Sequence, residues 1–265
     1  MNPQEMELQY PWADEIPKAG QVIEAAQGVF WLRMPLPFAL DHINLWLLRD
    51  EIDGVLGWTV VDCGVDRTEV RDIWEKIFAN ALDGLPILRV IVTHMHPDHV
   101  GLAHWLCKRW QAPLYMSMTD YATANLWCAT TVGDAVEGSG PTGDAAVQHF
   151  AAHGLVDKAA QEHIYSRHDY YAKLVPDVPR SFNRLMHGHD LKIGKRNWRF
   201  IVGYGHAPEH MALYCEDLDV LISGDMILPR ISTNVSVFSF EPEANPLPLY
   251  LDSLNNYKDI APMRR

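Results

Sequence analysis

Within six residues, His94, His96, Asp98 and His99 offer four side chains able to bind a divalent cation. They directly follow Leu88–Thr93, a short apolar run rich in β-branched residues that reads as a buried strand. In extended chain, residues two apart point the same way, so the imidazoles of His94 and His96 can meet one ion. Pro97 then redirects the chain, and Asp98 and His99 open the next helix. A polar loop capped by Asp98 is the plain alternative, but two later segments speak against it. Gly205-His206-Ala207-Pro208-Glu209-His210 follows the strand-like Trp198–Gly203, and Ser223-Gly224-Asp225 ends the strand-like Val220–Ser223. Ligands on loops after successive strands belong to a site at the edge of a sheet. Three imidazoles with water in the fourth position suit zinc, and a carboxylate can bridge to a second cation.

The elements that must position these groups are legible as pattern. Gln21–Pro35 and His42–Arg49 are strand-like, and Trp58–Asp62 is a short β-branched run ending at the Gly64 turn. Asp66 is placed to cap a helix whose apolar positions are Val70, Ile73, Trp74, Ile77, Phe78 and Leu82. A second helix is expected from Pro97 to Trp110, followed by strand Leu114–Ser117. From Met118 to about Met186 the pattern turns helical, broken by Gly133, Gly138, Gly140, Pro141 and Gly143. Strands then resume over Asp190–Ile193, Trp198–Gly203, Met211–Cys215 and Val220–Ser223, with a turn at Gly194-Lys195. Leu247–Tyr257 fits a last short helix. The expectation is an α/β domain spanning residues 1–265: two strand-rich halves with a helical cap inserted at about 118–186. No internal repeat has the period of a solenoid or propeller.

H-x-H-x-D-H, a later G-H-x-P-x-H and a later G-D, in that order, resemble the motifs of the metallo-β-lactamase superfamily. Val61-Asp62-Cys63-Gly64 is similar to that family's V-D-x-G turn. The resemblance implies a four-layer αββα sandwich with the metal at one edge of the two central sheets. The Asp98-His99 pair brings it closer to glyoxalase II and related thioesterases or esterases than to true β-lactamases. Carried over residue by residue, His94, His96 and His206 bind the first metal, Asp98 and His99 the second, and Asp225 bridges both. Asp62 hydrogen-bonds the ligand loop without touching metal. His210 stands behind the ligands, where a packed, hydrogen-bonded histidine is an equal reading. Two positions depart from the family. Glu209 stands where Gly is usual, so the turn before His210 is expected to differ. A final metal-binding His normally follows a helix after the bridging Asp, whereas here no His follows His210 and the sequence ends at Met263-Arg264-Arg265. A shortened sequence, a truncated natural product and a member that works without that ligand all fit. The expectation is a C-terminally shortened domain whose second metal is held more weakly than its first.

The implied chemistry is hydrolysis. A divalent metal lowers the pKa of bound water toward ~7. Metal-bound hydroxide would then cleave an acyl bond of a small-molecule thioester, ester or lactone, with Asp98 as the catalytic carboxylate that orients it. Zinc is the expected cofactor, one or two ions per chain, with iron and manganese as alternatives. A phosphodiesterase or ribonuclease of the same fold and a non-catalytic relative are the competing readings. No G-x-S-x-G elbow or Cys/His pair offers a rival nucleophile. Cys63, Cys107, Cys128 and Cys215 have no C-x-x-C spacing and read as free, buried thiols. His149, His153, His163, His168, His187 and His189 are irregularly spaced and read as solvent-facing or packed. A formal net charge of −12 disfavours a nucleic-acid partner. Between residues 161 and 200, however, eight Lys/Arg face four acids. That excess is either a solvated helix face or a receiver for an anionic substrate arm. No run of eighteen apolar residues exists, and Glu5, Glu7, Asp14 and Glu15 precede the first Lys. Neither a membrane span nor a secretory signal is expected, so the chain reads as cytoplasmic.

Overall fold

Strand alternation in the first half of the chain sends side chains to two different cores. In β3 (His42–Ile52), Ile43, Leu45 and Leu47 enter one apolar cluster, while Trp46 and Leu48 face another. The protein is seen here in a computed structural model that describes residues 6–12, 15–129, 143–258 and 260. β3 pairs antiparallel with β2 (Val29–Pro35) and β4 (Val55–Val61), and β1 (Ile23–Ala26) pairs with β2. β5 (Ile87–Ile91), β6 (Leu114–Met116) and β7 (Phe182–Arg184) join in parallel, giving one seven-stranded sheet in sequence order. The second sheet has four antiparallel strands in the order β11 (Val220–Ile222), β10 (His210–Cys215), β9 (Arg196–Gly203) and β8 (Asp190–Ile193).

The two sheets stack. Trp198, Phe200 and Val202 of β9 share a buried cluster with Val29, Leu48, Val61 and Ile91 of the first sheet. Ile201, one position out of phase, turns to the outer face with Ala212 and Tyr214, beneath Tyr257 and Ile260. That outer face carries α8 (Pro246–Ser253) and the 3-10 turn Leu254–Tyr257, the two pieces of the expected Leu247–Tyr257 helix. The far face of the first sheet is covered by α1 (Thr68–Asn80) and α3 (Ala103–Trp110). The layers therefore run αββα, as the resemblance implied. Among the described residues, no helix is long and apolar enough to cross a membrane.

Three local expectations need correction. Asp66 does not cap α1. Arg67 holds the N-cap position without a side-chain cap bond, because the Asp66 carboxylate accepts from Arg71 Nε and Nη2 at 2.8 and 2.7 Å. A bidentate, charge-assisted pair outcompetes a cap. The helix expected over Pro97–Trp110 is two helices, α2 (Pro97–Val100) and α3, parted at Gly101 and Leu102. A Cβ on Gly101 would lie 2.5–2.7 Å from the carbonyl oxygens of Pro97, Gly64 and Leu174, so three backbone segments converge there. Finally, the segment 118–186 holds α4 (Met118–Ala129), α5 (Asp144–Ala152), α6 (Lys158–Ser166) and α7 (Tyr170–Leu174), but it returns to the first sheet as β7. The break at Gly133, Gly138, Gly140 and Pro141 lies outside the described residues.

Gly101 fixes where α2 sits, and α2 carries Asp98 and His99. Gly101→Ala is therefore expected to destabilise the fold by about 1–3 kcal/mol, the usual cost of overpacking, and to weaken divalent-cation binding. Urea unfolding and metal titration check both, and an unaffected variant would show that the backbone can give at this point.

Candidate metal centre

Three loops leave one edge of the stacked sheets. His94, His96, Asp98 and His99 follow β5, His206 lies between β9 and β10, and Asp225 follows β11. The sheets are stitched together at this edge, since Met211 N at the start of β10 donates to Thr93 O at 2.8 Å. Thr93 N in turn donates to Asp62 Oδ1 at 2.8 Å, and Thr93 Oγ1 to Asp62 Oδ2 at 2.9 Å. Asp62 Oδ2 also accepts from His99 Nδ1 at 2.8 Å. Asp62 has φ +64, a left-handed conformation that costs a non-glycine residue energy and persists where surroundings over-determine it. Its side chain thus hydrogen-bonds Thr93 and His99.

The side chains converge. His94 Nε2 lies 2.9 Å from His96 Nδ1 and 3.2 Å from His206 Nε2. His94, His96, His206 and Asp225 each offer a ligand atom within 4.8 Å of the others', and so do Asp98, His99 and Asp225. Burial and the neighbouring imidazoles push His94 well below its ordinary pKa and His96 down to about 3, and burial lowers His206. All three are neutral at physiological pH. His206 Nδ1 lies 2.9 Å from Asn234 O and donates to it, which leaves Nε2 as a bare lone pair aimed at the cluster. His99 differs: burial opposes its charge, but Asp62, Asp225 and Asp98 outweigh burial and raise its pKa well above normal. Its Nε2 is buried without a hydrogen-bond partner, 3.5 Å from Asp225 Oδ1 and 3.7 Å from Asp98 Oδ2. Asp225 is held below the carboxylate range, burial being outweighed by His99 and the other imidazoles together, whereas burial raises Asp98. A bare lone pair, a partnerless buried nitrogen and two carboxylates facing one point suit divalent cations, which would take the place of the proton on His99 Nε2. The open side is marked by Asp98 and Asp225, whose side chains are 18% and 30% exposed against 2% for His99.

His210 is fully buried and lies behind the ligands. Its Nε2 accepts from Asp225 N at 3.2 Å, and its ring centroid is 4.8 Å from that of His94. A Cβ on Gly224 would come within 2.3 Å of His210 Nε2, so the Gly of the Gly-Asp pair is what lets the ring fit beneath the Asp225 loop. Glu209, in place of the usual Gly, binds Thr119: Oε2 accepts from its Oγ1 at 2.9 Å.

Four supports escaped the sequence reading. Asp120 is buried, and its carboxylate accepts from Met95 N at 2.7 Å and from Glu209 N at 2.6 Å, tying two ligand loops together. Burial pushes its carboxyl up to about 7, against the pull of those amides. Tyr171 OH donates to Met95 O at 2.6 Å, and Thr233 Oγ1 stands 2.9 Å from His206 Nδ1, with Asn234 O beside it. Ser117-x-x-Asp120 has the spacing of a helix-capping pair, which signals α4 but not the reach to Met95 and Glu209.

The remaining candidates stay apart. Among the described residues, His149, His153, His163, His168, His187 and His189 join no ligand cluster. The rings of His149 on α5 and His153 at its C-cap lie 4.6 Å apart and tilted, and His187 Nδ1 accepts from Val202 N. None of the four cysteines forms a disulfide. Cys63 and Cys215 are buried as expected, while Cys107 and Cys128 are half-buried, and burial pushes both of these thiols up to about 12.

The sequence profile of the metallo-beta-lactamase superfamily matches residues 40–127 and 142–262. A beta-lactamase domain protein from Burkholderia ambifaria is similar in structure, with 55% identity and a TM-score of 0.89, covering 98% of this chain and 72% of that one. A metallo-beta-lactamase family protein from Thermus thermophilus has 25% identity and a TM-score of 0.68, covering 88% of this chain and 70% of its own. A probable metallo-hydrolase of Bacillus subtilis is 23% identical over 213 residues, which are 78% of this chain and 60% of that relative.

Asp120→Asn keeps the shape but turns an amide nitrogen toward one of two backbone N–H donors. It is expected to destabilise the fold by about 1–3 kcal/mol, the cost of a buried unsatisfied donor, and to weaken metal binding about 10–100-fold. Calorimetric metal titration beside urea unfolding tests this, and unchanged affinity would remove Asp120 from the support of the centre.

Proposed function

The chain belongs to the metallo-beta-lactamase superfamily, and from that premise we propose that it is a metal-dependent hydrolase of small-molecule thioesters, esters or lactones, nearest in kind to the glyoxalase II-like branch. The observation that carries the reading is the donor cluster of His94, His96, His206 and Asp225, with Asp98 and His99 completing a second group around Asp225. His94, His96 and His206 would hold the first cation, zinc by the chemistry of its neutral imidazole donors. Asp98, His99 and Asp225 would hold a second, more weakly. When bound, such a cation polarises a carbonyl and makes water nucleophilic at neutral pH.

The chain's own residues supply the rest. Asp98, on the open side, orients the attacking water. Asp62 fixes the ring of His99 through Nδ1, and Asn234 O does the same for His206. With thiols buried and raised in pKa, no cysteine competes as nucleophile. Within residues 118–186, α4 and α7 act as the cap beside the centre: Thr119 bonds Glu209 and Tyr171 bonds Met95 O. Acyl chemistry is favoured over phosphodiester cleavage because a net charge of −12 repels a polyanionic nucleic acid.

Chelation is expected to abolish hydrolysis, with zinc restoring it. His96→Ala is expected to lose bound metal and activity together. Asp98→Asn should lower kcat by about 10²–10⁴-fold, the worth of a positioned acid–base group, while keeping the first metal. The check is metal analysis plus kinetics on a panel of thioesters, lactones and phosphodiesters. Preferential phosphodiester cleavage, or full activity in His96→Ala, would contradict the reading.

A further inference from the structure

The basic residues counted between 161 and 200 divide in the fold. Arg49, Lys195 and Arg196 line a groove of about 740 Å³ in which Glu24, Asp50, Glu51 and Asp217 outnumber them. Arg167 and Lys173 line a different groove, of about 1300 Å³, and meet Arg67 and Arg71 from the amino-terminal end of α1. Four cations face it, in a chain of net charge −12. Arg71 is engaged by Asp66, and Lys173 by Asp169 at 2.7 Å. Among the described residues, neither Arg67 nor Arg167 has a carboxylate within salt-bridge distance. Arg67 is also placed against stability, since the positive end of a helix favours an acid or a capping side chain over a cation. Arg167 is held ready: its guanidinium lies 4.3 Å above the ring of Tyr170, which in turn lies 5.8 Å from that of Phe38.

This groove is built on the same backbone that braces the metal centre. Asp66 N donates to Leu174 O at 2.9 Å, Leu102 N to Gly64 O at 3.0 Å, and Cys63 N to His99 O at 2.8 Å. Tyr170 faces the groove, while its neighbour Tyr171 bonds the ligand loop at Met95 O. α7, which carries Tyr170, packs against α2, which carries Asp98 and His99, so the groove's aromatic wall adjoins the centre.

We propose that the groove lined by Phe38, Arg67, Arg71, Arg167, Tyr170 and Lys173 is an anion subsite. It receives the phosphate or carboxylate at the far end of a substrate whose acyl bond lies at the metal centre. The aromatic pair covers the apolar spacer, and the guanidinium groups of Arg67 and Arg167, which have no carboxylate partner among the described residues, bind the terminal oxyanion. The inference rests on the acyl-hydrolase reading for its substrate, but not for its binding site.

The test compares thioesters of one acyl group whose leaving arms end in a phosphate, a carboxylate or a neutral amide. For the metal-loaded enzyme, kcat/KM is expected to favour the anionic arms, through KM, and the advantage should fade between about 20 mM and about 500 mM salt. In R67Q/R167Q the anionic-to-neutral ratio should fall about 10-fold, the worth of an exposed charge-assisted contact. Lys195→Gln, on the other groove, removes one charge and should leave the ratio alone. Which anionic arm gains more identifies the oxyanion. A ratio unmoved in R67Q/R167Q, or moved equally by Lys195→Gln, would overturn the subsite. Titration with phenyl phosphate and benzoate separates the two readings. If no thioester is cleaved but phenyl phosphate or benzoate binds more weakly to R67Q/R167Q than to the parent, the acyl reading fails and the subsite stands. Equal binding to both would overturn the subsite.

Discussion

Imidazole lone pairs do not gather in a dry place unless something holds them there. His94 is fully buried, and His96 and His206 bring their ring nitrogens within hydrogen-bonding distance of its Nε2. Desolvation keeps these rings neutral, and so keeps their donor atoms free. The cost of assembling them falls on the surrounding structure. Asp62 accepts a strained backbone to bond Thr93 and His99, Gly224 gives up a side chain so that His210 can sit beneath Asp225, and Asp120 spans two loops. None of these residues belongs to the ligand clusters, yet each fixes one that does.

The fold's part is to bring three strand ends to one edge. The parallel strand β5 delivers the first ligand loop, and the antiparallel β9–β10 pair delivers the second. The bond from Met211 N to Thr93 O locks the two sheets in register at that point. Because the braces are backbone hydrogen bonds and buried carboxylates, small errors there are felt directly at the ligands.

The clustered histidines and aspartates were legible in the sequence because they lie on loops, or on the short helix α2, directly after strongly patterned strands. Their types alone, His and Asp at spacings of two and one, restrict the chemistry. The αββα order followed from motif resemblance more than from pattern, since alternation along β3 feeds two cores at once. Asp120, Tyr171 and Thr233 were not legible: each acts on a residue 25 or more positions away in the chain. Asp66 was misread because its spacing suits a cap, whereas Arg71, one helical turn on, takes its carboxylate. The cationic groove was half visible. A run count found Arg167 and Lys173, but their partners Arg67 and Arg71 come from a helix about a hundred residues earlier.

As proposed, His94, His96 and His206 would hold one metal ion at the sheet edge. Anomalous difference density from zinc-loaded crystals, collected at the zinc edge, tests it directly. The strongest peak is expected about 2.0–2.1 Å from one ring nitrogen of each of these histidines. A strongest peak elsewhere, such as at the His149–His153 pair on α5, or no peak between β5 and β10, would contradict it.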